Sequence, residues 1–243
     1  MRLERPEGWG RGISVGCGEG AKEISLARIG LVDHFDLYEI SEVRAEKGRA
    51  LAEAQGVSDK VAFHTRDAFQ EDLGQYDLVY WNNALHHMLD TNDAVRWSRD
   101  RLKKGGSFVM DDYVGRNRLQ WSSAEMDVAE KVRRLLPERF LRDPLNLDRE
   151  LPLRPLPLSV EEWIRRDPTE CADSENIIPA ITSYFPEAEI TYTGGVIYHL
   201  ALNDVIAHFD EDEDRHLLSA LLMADLAYAR AGLTHYAVVI ARR

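Results

Sequence analysis

The sequence predicts an α/β fold on a doubly wound, mostly parallel sheet. Two observations carry this. Over roughly the first hundred residues, short apolar runs alternate with amphipathic stretches of helical spacing. The first of those runs, Gly12-Ile13-Ser14-Val15, breaks directly into the loop Gly16-Cys17-Gly18-Glu19-Gly20, the kind of strand-to-helix join that lets backbone N–H groups approach a ligand.

The elements follow in order. Ala21, Ile24 and Ala27 stand at helical spacing over residues 21–28, and Gly30 closes that helix as a C-terminal cap. Residues 36–40 read as the second strand. Ser41 caps a helix with Val43, Ala50, Leu51 and Ala54 on its inner side, stopped at Gly56. Residues 61–64 and 76–81 form the third and fourth strands. Thr91 caps a helix running through Leu102 to Gly105-Gly106, and residues 107–111 are the fifth strand. From about Tyr113 to Phe185 the rhythm breaks. That stretch shows no clear strand, but two capping boxes, Ser122 with Glu125 and Ser159 with Glu162, flank a proline-rich segment from Pro144 to Pro157. So long a connection reads as a lid rather than a dimerisation arm. Residues 189–192 are a strand, 217–230 a helix and 236–240 the last strand. The acidic run Asp210–Asp214 reads as a solvated loop at a helix N-terminus. The expected division is 1–112 as the cofactor-binding half, 113–185 as the lid and 186–243 as strands and helix completing the same domain.

Composition narrows the function classes. The chain has 243 residues, 44% hydrophobic and 30% charged, as in soluble globular enzymes. Two cysteines in unrelated contexts are no disulfide framework, which points to a reducing, cytoplasmic setting. A net charge of −12 argues against a nucleic-acid partner. The residues Met1 to Pro6 lack the apolar run of a signal peptide, and no window approaches the ~18 apolar residues of a membrane span. A homodimer is compatible with all of this.

The loop by itself leaves the cofactor open. Gly16, Gly18 and Ala21 also satisfy the dinucleotide pattern, and Glu39, after the second strand, fits a ribose-hydroxyl acceptor in either case. The choice comes from resemblance. The segment Ser14 to Gly20 resembles motif I of the class I S-adenosylmethionine-dependent methyltransferases, with Gly20 as the third glycine. Arg66-Asp67-Ala68 looks like that family's adenine site, and Asn82-Asn83-Ala84-Leu85-His86-His87 like its segment at the active-site mouth. Lys103-Lys104-Gly105-Gly106 and the terminal helix-plus-strand are also similar. The resemblance implies a seven-stranded sheet with a reversed last strand and an inserted helical lid after strand 5. It implies S-adenosylmethionine as cofactor, held by Gly16, Cys17, Gly18, Gly20, Glu39, Ile40, Asp67, Ala68 and Asn82. It departs from the family at Ser14, where most members carry Asp or Glu, and in lacking the usual N-terminal helices over the substrate, which the insertion would replace. The wording around the loop and residues 111–121 is similar to a subgroup associated with polysaccharide or glycan biosynthesis.

Methyl transfer to a hydroxyl needs a base, and His is the usual choice near neutral pH. His86 and His87 follow the fourth strand, and Asp111-Asp112 end the fifth on the same edge. One of the two histidines is read as structural, the other as the base, with Asp112 assisting and no metal. Cys17 is given a steric role, and His199 the role of an ordinary helix-start residue. Arg116, Arg118, Arg133, Arg134, Arg142 and Arg154 are taken as a solvated face rather than an anion-steering patch. Trp81-Asn82-Asn83-Ala84 is not the Asn/Asp-Pro-Pro-Tyr/Phe signature of nucleic-acid N-methyltransferases. The leading expectation is O-methylation of a small-molecule or saccharide hydroxyl. The alternatives are a nicotinamide-dependent oxidoreductase and a non-catalytic nucleotide-binding subunit.

Overall fold

The computed structural model describes residues 8–243, so the reading of Met1 to Pro6 lies outside the described residues. In chain order the elements are β1 (Trp9–Val15), α1 (Ala21–Arg28), β2 (Val32–Tyr38), α2 (Glu42–Ala54), β3 (Val61–His64), β4 (Tyr76–Asn82), α3 (Thr91–Arg101) and β5 (Leu102–Tyr113). There follow α4 (Ser123–Leu135), β6 (Arg142–Asp143), β7 (Asn146–Glu150), α5 (Val160–Arg166), α6 (Ile177–Tyr184), β8 (Glu189–Gly194), α7 (Arg215–Arg230) and β9 (Tyr236–Arg242).

Seven strands form one sheet in the order β3-β2-β1-β4-β5-β9-β8. The pairs β2–β3, β1–β2, β1–β4 and β4–β5 are parallel. The last strand is reversed. Gly105 N–H donates to the Arg243 carbonyl, whereas Val114 N–H donates to that of His235, so positions fall along β9 as they rise along β5. The strand order turns back at β1 and β4, which places the loops after their carboxyl ends where open α/β sheets take ligands.

Local rules account for the element ends. Gly30, at φ 68°, ends α1 with Leu31 N–H donating to the Leu26 carbonyl and Gly30 N–H to that of Ala27. Ser41 caps α2 as expected, its hydroxyl accepting from Arg44 N–H. The inner face of α2 differs from the expected one: Ala45, Gly48 and Ala52 are buried, and Val43 is 65% exposed. The reason is close approach. A Cβ on Gly48 would lie 2.3 Å from the Phe63 ring, so only small residues fit on the face that α2 presents to the sheet. Asp90, not Thr91, caps α3, accepting from Asp93 N–H. That helix stops at Arg101, and Gly105-Gly106 lie inside β5, paired with Arg243.

The chain divides into two compact units. The first comprises the chain up to Asp112 with Asn176–Ile190 and Val238–Arg243; the second comprises Tyr113–Glu175 and Thr191–Ala237. Within the first, Trp9, Ile24, Phe35, Leu37, Leu78 and Val109 anchor the core around the glycine loop.

Within the second unit, both predicted capping boxes form, at Ser122/Glu125 and Ser159/Glu162. Its core joins Val128, Ala129 and Val132 of α4 to Phe140 and to a π-helical segment, Val196–Ala201. The buried Asp225 of α7 receives the N–H groups of Gly195 and Ile197 at the start of that segment, at 2.7 and 2.8 Å. Contrary to the strandless expectation, residues 142–150 form a small hairpin of β6 and β7; exposed throughout β7, it carries no alternating signal. The acidic run also needs correction: Asp214 is buried and pairs with Arg139. Among the described residues no helix is long and apolar enough to cross a membrane.

Candidate active site

The first unit gathers the predicted residues at the carboxyl ends of its parallel strands. Gly16, Gly18 and Gly20 all take positive φ, 66°, 60° and 66°, which a side chain would resist. Gly16 N–H donates to the Tyr38 carbonyl, so the loop is tied to the end of β2. Gly18 has open space where a Cβ would stand. Glu39 is buried, and its two carboxylate oxygens accept from Gly18 N–H at 2.9 Å and Ser41 N–H at 2.8 Å. The same carboxylate therefore shapes the loop and caps the entry to α2. Ile40 beside it is 80% exposed, an apolar side chain standing free at this edge. After β3, Asp67 accepts from Phe69 N–H at 2.9 Å and opens a short 3-10 turn, with Ala68 buried. At the end of β4, the Asn82 Oδ1 is buried with no hydrogen-bond partner among the described residues.

Cys17 is no nucleophile. Burial, reinforced by the charges of Glu23 and Glu39, pushes its thiol well above the ordinary cysteine value, and it stays protonated.

Asp112, at the end of β5, is fully buried. Its Oδ2 accepts from Ala84 and Leu85 N–H at 2.9 and 2.7 Å, and its Oδ1 lies 2.5 Å from His86 Nδ1. Asn83 precedes that turn at φ 46°, so the chain is bent sharply where it delivers His86. A carboxylate accepts at Nδ1, so this contact calls for a proton on Nδ1. His87 stacks on His86, ring centroids 4.2 Å apart. The structure thus brings His86 and Asp112 together as expected and gives Asp111 a different neighbour, Lys22 at 3.3 Å.

Residues 13–108 match the family model of a methyltransferase domain. Over 107 residues the chain is 34% identical to a probable chloroplastic tocopherol O-methyltransferase of Oryza sativa subsp. japonica, covering 43% of this chain and 29% of that protein. It is 33% identical over 106 residues to a ubiquinone biosynthesis O-methyltransferase of Shewanella sp. (strain ANA-3), covering 43% of this chain and 44% of that protein. Over this segment the chain is similar to the class I S-adenosylmethionine-dependent methyltransferases. The matched segment spans less than half the length of these curated relatives. Among solved structures, the [4+2]-cyclase SpnF superimposes with TM-score 0.55 at 18% identity, covering 98% of this chain and 76% of that one. The phosphoethanolamine N-methyltransferase 2 of Haemonchus contortus does so with TM-score 0.59 at 14% identity, covering 100% of this chain and 50% of that one. At such identities these likenesses show the fold.

The strand ends fit S-adenosylmethionine, the cofactor of the family this segment resembles. The positive-φ glycines leave room for a close approach, Glu39 stands at the loop, and the orphaned Asn82 Oδ1 offers a buried acceptor.

In the second unit, the predicted solvated face holds for Arg116 and Arg134, whose side chains are more than half exposed, and fails for Arg133. Arg133 is buried and donates to the Ala201 and Pro152 carbonyls at 2.9 and 2.7 Å, closing the end of the π-helical segment. Arg134 pairs with Glu130 at 2.6 Å, Arg154 with the same Glu130 at 3.0 Å, and Arg142 with Glu138. Arg116 faces Glu125, and Arg118 donates to the Glu170 carbonyl. His199 packs edge-on against Tyr113, Trp121 and Tyr236.

Two features escaped sequence reasoning. Glu125, read only as a capping residue, also binds the fully buried His235 at 3.1 Å, a partner 110 residues away. Glu23, which looks like an ordinary first-turn acid of α1, is 1% exposed and receives a hydrogen bond from the Ser14 hydroxyl at 2.8 Å. The one available signal was the hydroxyl at Ser14 itself, in a position where the family resemblance leads one to expect an acid.

Proposed function

We propose that this chain transfers a methyl group from S-adenosylmethionine to a hydroxyl of a small molecule, with His86 as the base and Asp112 as its positioning partner. The observation that carries the chemical reading is the buried Asp112, which fixes the turn through two backbone N–H groups and orients the imidazole through Nδ1. The curated relatives matched over the domain include proteins named as O-methyltransferases, which supports a hydroxyl acceptor. A saccharide remains within the class of acceptors considered, as does assembly as a homodimer. When bound, the cofactor supplies a methyl group activated on a sulfonium.

The chain's own residues divide the remaining work. Gly16, Cys17, Gly18 and Gly20 shape the nucleoside cradle, and Glu39 accepts from the ribose hydroxyls. Ile40, Asp67, Ala68 and Asn82 complete the cofactor side. His86 takes the proton of the acceptor hydroxyl at Nε2 while Asp112 stabilises the resulting imidazolium. The lid is assigned to residues 113–185 and the completing strands and helix to 186–243.

The fold is shared with a protein named for a cyclisation, so the site has to carry the reaction. The test is methyl transfer to a panel of phenols, hydroquinones and sugars. His86→Gln is expected to lower kcat by about 10²–10⁴-fold with KM little changed. Asp112→Asn should lower kcat in the same direction, and His87→Gln should stay within a few-fold of wild type. A His86→Gln enzyme of undiminished kcat sinks the base assignment, and absence of transfer with bound cofactor sinks the hydroxyl reading.

A further inference from the structure

We infer that Glu23, on α1, binds the ammonium group at the amino-acid end of the cofactor and so supplies the carboxylate that β1 lacks at Ser14. The inference rests on S-adenosylmethionine as the donor and deepens that reading. Glu23 is 1% exposed, and the Ser14 hydroxyl donates to its Oε1 at 2.8 Å. Ser14 is itself buried on β1, directly beside Tyr80 of β4 in the parallel register. A hydroxyl is a neutral donor, and a buried carboxylate held by it, by its own backbone N–H and by the field of the half-exposed Lys22 is incompletely compensated. Among the described residues Glu23 has no salt bridge. The nearest cation in sequence, Lys22, is turned to Asp111 at 3.3 Å.

The surroundings behave accordingly. Burial pushes the Glu23 carboxyl above its ordinary value, with the Ser14 hydrogen bond opposing. The field of Glu23 in turn adds to the burial that raises the Cys17 thiol in the loop and the Tyr80 phenol on β4. Glu23 stands beside the glycine loop: it is three residues past Gly20 on α1 and bonded to Ser14, two residues before Gly16. The end of β4 adds the unpartnered, buried Asn82 Oδ1. The Asn82 Oδ1 lacks a donor and Glu23 lacks an ion pair, and an ammonium brings three donors and a positive charge to them. A neutral or anionic group arriving at the same place would leave Glu23 uncompensated. That makes the residue a determinant of specificity for an amino-acid-bearing nucleoside.

A thermodynamic cycle tests this by calorimetry with the full chain, using S-adenosylhomocysteine and its desamino analogue, in which hydrogen replaces the α-ammonium. Wild type is expected to bind the desamino nucleoside at least about tenfold more weakly, the scale of a lost charge-assisted hydrogen bond. In Glu23→Gln that difference should shrink to within about twofold, with affinity for the desamino nucleoside unchanged. An equal discrimination by wild type and Glu23→Gln overturns the assignment. Failure of wild type to bind either nucleoside overturns the cofactor reading itself, a separate outcome. Should circular dichroism show Glu23→Gln unfolded, the near-isosteric, uncharged Glu23→Met runs the same cycle: discrimination within about twofold supports the site, and full discrimination overturns it.

Discussion

Glu125 carries two loads in the second unit. It closes the capping box, receiving Ser122 N–H at 2.6 Å, and it holds the buried His235 at 3.1 Å. Burial by itself would raise its carboxyl, but the hydrogen bonds from His235 and Ser122 outweigh that and hold it at about 2. A carboxyl depressed in the folded state adds stability above its unfolded value, near 4.3, and that stability is lost as pH falls towards the folded value. Urea unfolding is therefore expected to show roughly 3 kcal/mol less stability at pH 2 than at pH 5 from this group, a slope that Glu125→Gln should lack. An unchanged slope in the variant assigns the acid sensitivity elsewhere. Sequence reading found the capping role because its partner is three residues away. The histidine partner is 110 residues away, and no local pattern encodes that distance. Glu39 was legible for the opposite reason: its place at the end of a strand follows from the chain's own order.

At the scale of elements, the α2 helix shows where pattern reading loses a face. Val43 points outward while Leu51 still packs on the core, and the closest face carries only small residues because Gly48 must pass the Phe63 ring and the Glu19 carbonyl, which a Cβ would approach to 2.3 and 2.8 Å. Two effects compete in Gly48→Ala. Alanine favours the helix by about 1 kcal/mol, whereas overpacking at such contacts costs about 1–3 kcal/mol or more. The clash is with a ring and a backbone oxygen, so it should win. Gly48→Ala is expected to lower stability by about 1–2 kcal/mol in urea unfolding. Gly74, with nothing near its missing Cβ, should tolerate the same change within ~0.5 kcal/mol. Equal effects at both glycines would refute the close-approach account. The caps at Ser41, Ser122 and Ser159, in contrast, were legible, since each acts on residues within one turn; at α3 the cap fell one residue earlier than read, on Asp90 instead of Thr91.

For the whole molecule, the decisive feature is that the last strand lies inside the sheet. β9 stands between β5 and β8, and its Ala237, Val239 and Ala241 are buried. Removing residues 236–243 takes out an interior strand and strips the ladder partners of Gly105 and Gly106. A chain so shortened is expected to lose its cooperative unfolding transition and to be recovered largely insoluble; a soluble product with wild-type circular dichroism would contradict that. What the sequence determined by itself was whatever acts within a few residues or along one strand-loop-helix unit: the alternating elements, the caps, the glycine loop and the edge at which Glu39, Asp67 and His86 fall. Tertiary structure decided the rest. It turned Glu23 onto Ser14, gave Glu125 its histidine, buried Arg133 and chose the face of α2. Those outcomes depend on which surfaces meet across long separations, where burial changes the worth of a charge and a single Cβ can exclude a residue.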